Sequence, residues 1–194
     1  MKTAARALIT LFILLAVWQL GVWITDVEFF ILPGPIRVLH SLFQNIELIG
    51  VHAATTLLEI ALGLVFGCGL GIISAISLSW FPKVRSWLLP LLVVAQAIPV
   101  FALAPVLVLW LGYGLASKVM MASLIIFFPV TATFLDGLRR TDPGWLDLAH
   151  TMTYGQLKSN RWTILRNIRI PAALPALASG LRVAAAVAPI GAVV

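Results

Sequence analysis

Apolar residues in this chain gather into long unbroken runs, without the regular polar interruptions of a water-exposed helix or strand. A helix needs roughly 20 apolar residues to cross about 30 Å of hydrocarbon. The first run, Ala7 to Ile24, is broken only by Gln19. No small-residue cleavage site follows it, and Trp18 and Trp23 suit an interfacial end, so it predicts an uncleaved span and not a signal peptide. A second span runs from about Ala53 to Trp80. The 32 residues from Ser86 to Ser117 carry no charge, and as one straight helix they would reach about 48 Å. Pro90, Pro99 and Pro105 fall inside them, which predicts a kinked or broken span, with a re-entrant piece as an open alternative. A fourth span covers about Val119 to Leu135. The fifth begins near Pro171–Pro175 and is still apolar at Val194, so a further C-terminal span is expected beyond it. The fold class is an all-α polytopic membrane protein with five transmembrane segments in one domain, residues 1–194.

Composition strengthens this reading. Of the 194 residues 61% are hydrophobic and 10% charged, against about 45–50% and about 25% in soluble domains. Such a chain cannot cover a soluble surface, which excludes an ordinary soluble enzyme and a disordered segment. A single cysteine, Cys68, excludes an internal disulfide scaffold and a cysteine-based zinc site. The basic residues set an orientation. With a cytoplasmic N-terminus, ten fall in inner segments: Lys2, Arg6, Lys83, Arg85, Arg139, Arg140, Lys158, Arg161, Arg166 and Arg169. Only Arg37 and Lys118 fall outside, and Arg182 lies in the last span. The net charge of +6 therefore reports topology, with no nucleic-acid footprint.

Two loops stand out. The outer one, residues 25–52, holds the turn Pro33-Gly34-Pro35 and then an amphipathic stretch around Ile36–Ile49. The inner one contains Asp142 and Pro143 in the N-cap and first-turn positions of a helix. Trp145, Leu148, Ala149 and Met152 then make one apolar face, and Gly155 suits the end. A second helical piece, Arg161 to Ile170, is expected to stop at Pro171. The amphipathic helix fits the inner membrane surface or the groove of a partner protein.

Inside the spans, Glu59 heads a stripe of small residues, Gly63, Gly67 and Gly71, continued by Ala75 and Ser79, which permits close helix approach. Glu59 reads either as an interhelical packing partner or as a pathway residue. Gln96 and Pro99, a polar amide beside a helix break, are pathway candidates. Arg182 either snorkels to the interface or lines the pathway. His40, His52 and His150 have no metal-ligand spacing, so no metal site is expected. Intramembrane serine or aspartyl protease chemistry lacks its motif: Ser74 sits in Gly71-Ile-Ile-Ser-Ala, and Asp136 stands alone at a span end. No phosphate-binding Gly-x-x-x-x-Gly-Lys-Ser/Thr loop occurs. An ion-coupled secondary transporter is the main alternative class, although no internal repeat supports it.

Several stretches resemble the permeases of bacterial ABC importers. In the inner loop these are Asp147-Leu148-Ala149, then Gly155, then Ile168-Arg169-Ile170-Pro171 and Pro175. Leu32-Pro33-Gly34-Pro35, Gln96-Ala97-Ile98-Pro99, Leu103-Ala104-Pro105, Leu109-Trp110-Leu111-Gly112, Phe128-Pro129 and Gly180-Leu181-Arg182 resemble the nitrate, sulfonate, taurine and thiamin-precursor branch. The resemblance implies a type I importer fold whose loop, residues 141–170, docks on a cytoplasmic ATPase dimer. ATP and Mg would be bound there, with no cofactor on this chain. Trp145, Asp147, Leu148, Ala149, Met152 and Gly155 would form the coupling surface. The other implied partners are a second copy of the permease, an extracytoplasmic solute-binding protein and the lipid of a bacterial inner membrane. The solute would be small and polar or anionic. The run from Gly180 to Val194 looks most like permeases for pyrimidine precursors of thiamin. Two departures stand in the loop: Asp147 replaces the usual glutamate, and the glycine slot falls on Thr153 or Lys158 according to the end counted from, which implies a short insertion.

Overall fold

In hydrocarbon every backbone amide must find its partner within the chain, so apolar runs of this length close their hydrogen bonds as helices. The computed structural model describes residues 2–152 and 161–193, and every regular element among them is helical. The helices are α1 (Lys2–Thr25), α2 (Pro35–Gln44), α3 (Ile46–Trp80), α4 (Pro82–Gln96), α5 (Val100–Leu111), α6 (Leu115–Arg139), α7 (Pro143–Met152) and α8 (Arg161–Val193). Among the described residues α1, α3, α6 and α8 are long and apolar enough to cross a membrane. The chain forms two compact units, residues 1–54 and 55–194.

In the first unit α1 ends at a turn where Asp26 takes φ 44°. Gly34 sits so near Gln19 that a Cβ there would lie 3.2 Å from Oε1. The amphipathic stretch expected over Ile36–Ile49 forms α2 and then breaks. At Asn45 the side chain turns back to donate to the Ser41 carbonyl at 2.8 Å, closing the helix end. The Arg37 guanidinium lies 3.9 Å over the Phe29 ring.

The second unit is organised around α6. Its partner α3 begins at Ile46, seven residues before the apolar run begins at Ala53, because helical hydrogen bonding continues past the edge of the hydrophobic segment. The small-residue stripe of α3 is buried against α6. A Cβ on Gly63 would stand 2.5 Å from Ala122 Cβ, one on Gly67 2.7 Å from the Ser123 carbonyl oxygen, and one on Gly71 2.9 Å from Val130 Cγ1. These contacts advance four residues at a time on both helices, so α3 and α6 run parallel. The chain between them must therefore return from one end of the pair to the other. Helices α4 and α5 make that return in two pieces. The break at Ala97-Ile98-Pro99 confirms the broken third span: Pro99 takes extended ψ 120°, and α5 restarts after it. Gly112 ends α5 at φ 78°, a conformation that side chains resist.

Helix α8 packs antiparallel on α6, again through small residues. A Cβ on Gly137 would stand 2.6 Å from Ala176 Cβ, Gly180 lies against Thr133, and a Cβ on Gly191 would stand 2.5 Å from Ala122 Cα. Around these seams Phe134, Leu135, Leu138 and Leu165 form one buried cluster and Ile126, Val130, Ala184 and Ala188 another. One expectation is corrected here. Pro171 does not stop the helix, which runs without interruption from Arg161 to Val193. Its ring would collide with the carbonyl four residues back, and it cannot donate. The wider π turn at Leu165–Arg169, in which the Ile170 amide donates to Leu165, relieves that clash.

Candidate functional site

Helix α7 follows from its first residues. Asp142 Oδ1 accepts from the Gly144 amide at 2.7 Å, and Pro143 occupies the first turn where no amide is needed. Only Arg140, Thr141 and Asp142 separate α6 from α7. Thr141 is buried, with its hydroxyl donating to the Leu138 carbonyl at 3.3 Å, and Arg140 pairs with Asp136 at 2.8 Å. The connection is short and held at both ends.

The expected apolar face of α7 is only partly covered. Trp145 remains 56% and Leu148 59% exposed, while Ala149 is half-buried. Trp145, Leu148 and Ala149 line one side of an open groove of about 500 Å³, and Asn167, Ile168, Pro171 and Ala172 of α8 line the other. Asp147 is exposed on the same helix but is not among the residues that line the groove. Met152 is the last residue of α7. Gly155, and the alternative positions Thr153 and Lys158, lie outside the described residues.

The intramembrane candidates separate into two groups. Glu59, Gly63, Gly67 and Gly71 are all buried in the α3–α6 seam. Glu59 Oε1 lies 3.4 Å from Lys118 Nζ, with the glutamate side chain 3% and the lysine 38% exposed. Its other oxygen has no hydrogen-bond partner among the described residues. The Thr131 hydroxyl donates to the Phe127 carbonyl at 2.7 Å and lies 3.4 Å from that of Gly71, adding a polar contact across the seam. Gln96 and Pro99 are exposed at the α4–α5 break; Gln96 lines a small crevice of about 20 Å³ with Phe128, Thr131 and Ala132. Arg182 is exposed on α8, between the buried Gly180 and Ala184. Sequence reasoning missed Lys118 as the partner of Glu59. The signal was present: Lys118 precedes Ala122 by the same four residues that separate Glu59 from Gly63.

A chain of crossing helices with tight small-residue seams and a partly uncovered amphipathic helix suits a transport subunit, and comparison with known proteins names which. Residues 67–194 match the family described as binding-protein-dependent transport system inner membrane component. The "Probable ABC transporter permease protein" of Haemophilus influenzae is 51% identical over 189 residues, covering 97% of this chain and 75% of that protein. The formylaminopyrimidine transport permease protein of Halalkalibacterium halodurans is 36% identical over 198 residues, covering 100% and 77%. The riboflavin transport system permease protein of Chloroflexus aurantiacus is 35% identical over 188 residues, covering 96% and 68%. These are transport components and not enzymes, in a family whose ATP hydrolysis resides in separate ATPase subunits and whose solutes arrive on binding proteins. The chain belongs to this family: it is a multi-pass membrane permease of an ABC importer for small solutes, in the sulfonate, taurine and thiamin-precursor branch.

Proposed function

We propose that this permease couples a cytoplasmic ATPase dimer to alternating access through α7, and that its solute is small and polar or anionic, of the thiamin pyrimidine-precursor or sulfonate and taurine class. The observation that carries the coupling reading is the partly uncovered apolar groove of Trp145, Leu148 and Ala149, on a helix that also exposes Asp147. An amphipathic helix that keeps two large apolar side chains more than half exposed has surface left for a partner. In this reading ATP and Mg bind the ATPase subunits, and their closing moves α7. The three-residue joint with buried Thr141 passes that movement to α6. The seams with α3 and α8 leave α6 no room to slide alone, so the helices move as a packed group. Gly155 stands nearest the glycine slot of the coupling motif.

The orientation puts the N-terminus and α7 in the cytoplasm, supported by ten inner basic residues against two outer ones. A second copy of this chain completes the pathway, with Gln96, Pro99 and Arg182 on the surfaces that line it. An extracytoplasmic binding protein delivers the solute. The name of the formylaminopyrimidine permease, together with the run from Gly180 to Val194, favours the pyrimidine-precursor class.

The test is co-purification of the cognate ATPase from detergent-solubilised membranes with the wild-type chain and with Asp147→Arg. Retention by the wild type and its loss in the variant is the expected result. Equal retention by both would remove α7 from the docking surface.

A further inference from the structure

The inner end of α3 opens onto a second cleft, distinct from the α7 groove. Ser79 and Trp80 form one wall, Leu146 of α7 adds a side, and Arg161, Ile164, Leu165 and Arg169 of α8 complete a cavity of about 150 Å³. Those four α8 positions recur at helical spacing and so share one face. The Arg161 guanidinium sits 5.7 Å over the Trp80 ring, and Trp162 meets the same ring edge-on at 6.0 Å. Nε of Arg169 is buried and has no hydrogen-bond partner among the described residues. Leaving a buried charged donor unmatched is costly, so an acceptor is to be expected at this point.

Among the described residues no carboxylate lines the cleft. Asp136 is engaged by Arg140 at 2.8 Å, and Asp142 caps α7. What remains is a donor set of two guanidinium groups and a serine hydroxyl beside the Trp80 indole. That set fits the oxygens of a phosphate group, which guanidinium binds with charge-assisted, often paired hydrogen bonds. The depth of the cleft indicates where the phosphate comes from. Trp80 is the last residue of a membrane-length helix, and tryptophan at a span end marks the headgroup layer. Basic pockets between helices at that level take anionic headgroups.

We propose that this cleft binds the headgroup of an anionic phospholipid, its phosphodiester oxygens accepting from Arg169 and Arg161. Bound there, the headgroup ties the end of α3 to the π turn of α8 beside α7. The inference uses the membrane boundary at Trp80 and does not depend on ATPase docking.

Native mass spectrometry of the purified full chain in neutral detergent tests it, with dioctanoyl-phosphatidylglycerol as probe and dioctanoyl-phosphatidylcholine and inorganic phosphate as comparison arms. The wild type retains one phosphatidylglycerol in preference to phosphatidylcholine. Arg169→Gln weakens that binding about tenfold, as expected for losing one charge-assisted hydrogen bond. Arg169→Lys keeps most of it, and Lys83→Gln, at an exposed basic position on the same membrane side, leaves it unchanged. Arg161→Gln, at an exposed position, gives the same direction if Arg169→Gln elutes as an aggregate. The proposal fails if Arg169→Gln and Arg161→Gln bind like the wild type, or if Lys83→Gln loses as much. Full displacement by equimolar inorganic phosphate would also overturn it, assigning the cleft to a free anion. Displacement by the cognate ATPase would overturn it too, assigning the cleft to an acidic side chain of the partner.

Discussion

Gly67 offers the sharpest quantitative test of the packing, because Gly69 supplies its control on the same helix. A Cβ at Gly67 would stand 2.7 Å from the Ser123 carbonyl oxygen and 2.8 Å from Ile126 Cβ, whereas at Gly69 it would meet nothing within 4 Å. Ordinary carbon contacts begin at about 3.5 Å, so Gly67→Ala forces α3 and α6 apart by roughly 0.7 Å or distorts Ile126. Gly63 and Gly71 make equally close approaches one turn away on either side, which leaves little slack to absorb the shift. Overpacking of this kind costs about 1–3 kcal/mol. Alanine is also the better helix former, but that gain is common to both positions and cancels in their difference. The stability of Gly69→Ala minus that of Gly67→Ala should therefore be about 1–3 kcal/mol, a factor of about 5–150 in the folding equilibrium. Reversible unfolding in mixed micelles with increasing dodecyl sulfate, followed by circular dichroism, measures it. Two variants within about 0.5 kcal/mol of each other would refute the seam, since surface changes alone stay in that range.

Two further predictions concern polar groups. A double-mutant cycle of Glu59→Gln and Lys118→Gln, read in the same unfolding assay, should give a favourable coupling of about 0.2–1 kcal/mol, kept small because the partly exposed lysine is screened by solvent; zero coupling would mean that the two side chains do not interact. Asp142→Ala removes the N-cap of α7 and should destabilise that helix by about 0.5–2 kcal/mol. Amide exchange should accelerate in residues 143–152 and not in α6, and unchanged exchange in α7 would deny the cap its role.

Hydropathy made the membrane architecture legible before any coordinates. The spans near Ala7–Ile24 and Val119–Leu135, and the break at Pro99, needed only run length and proline. The stripe from Gly63 to Ser79 identified the buried face of α3, since small residues in hydrocarbon have little reason to recur every fourth position except close packing. Two features were hidden. Pro171 looked like a helix stop because the local rule counts one lost hydrogen bond, and the rule cannot see a π turn that makes room for the ring. Lys118 looked like a loop charge because its partner lies on a helix distant in sequence, and only the parallel α3–α6 register brings them together. The inner face of the candidate site was legible as an amphipathic face, but its degree of covering was not. That depends on where α8 passes, and the sequence divided α8 into a loop helix ending at Ile170 and a span beginning near Pro171–Pro175, whereas it is one helix.

The central claim, that α7 meets the ATPase on the inner side of the membrane, is tested most directly by cross-linking. A chain with Cys68→Ala receives one new cysteine, either Leu148→Cys on the exposed face of α7 or Tyr113→Cys in the exposed turn between α5 and α6. Each is assembled with the cognate ATPase and treated with a short bifunctional thiol reagent. The account predicts a permease–ATPase product from Leu148→Cys and none from Tyr113→Cys. A product from Tyr113→Cys, or none from Leu148→Cys in a complex that still co-purifies, would contradict it.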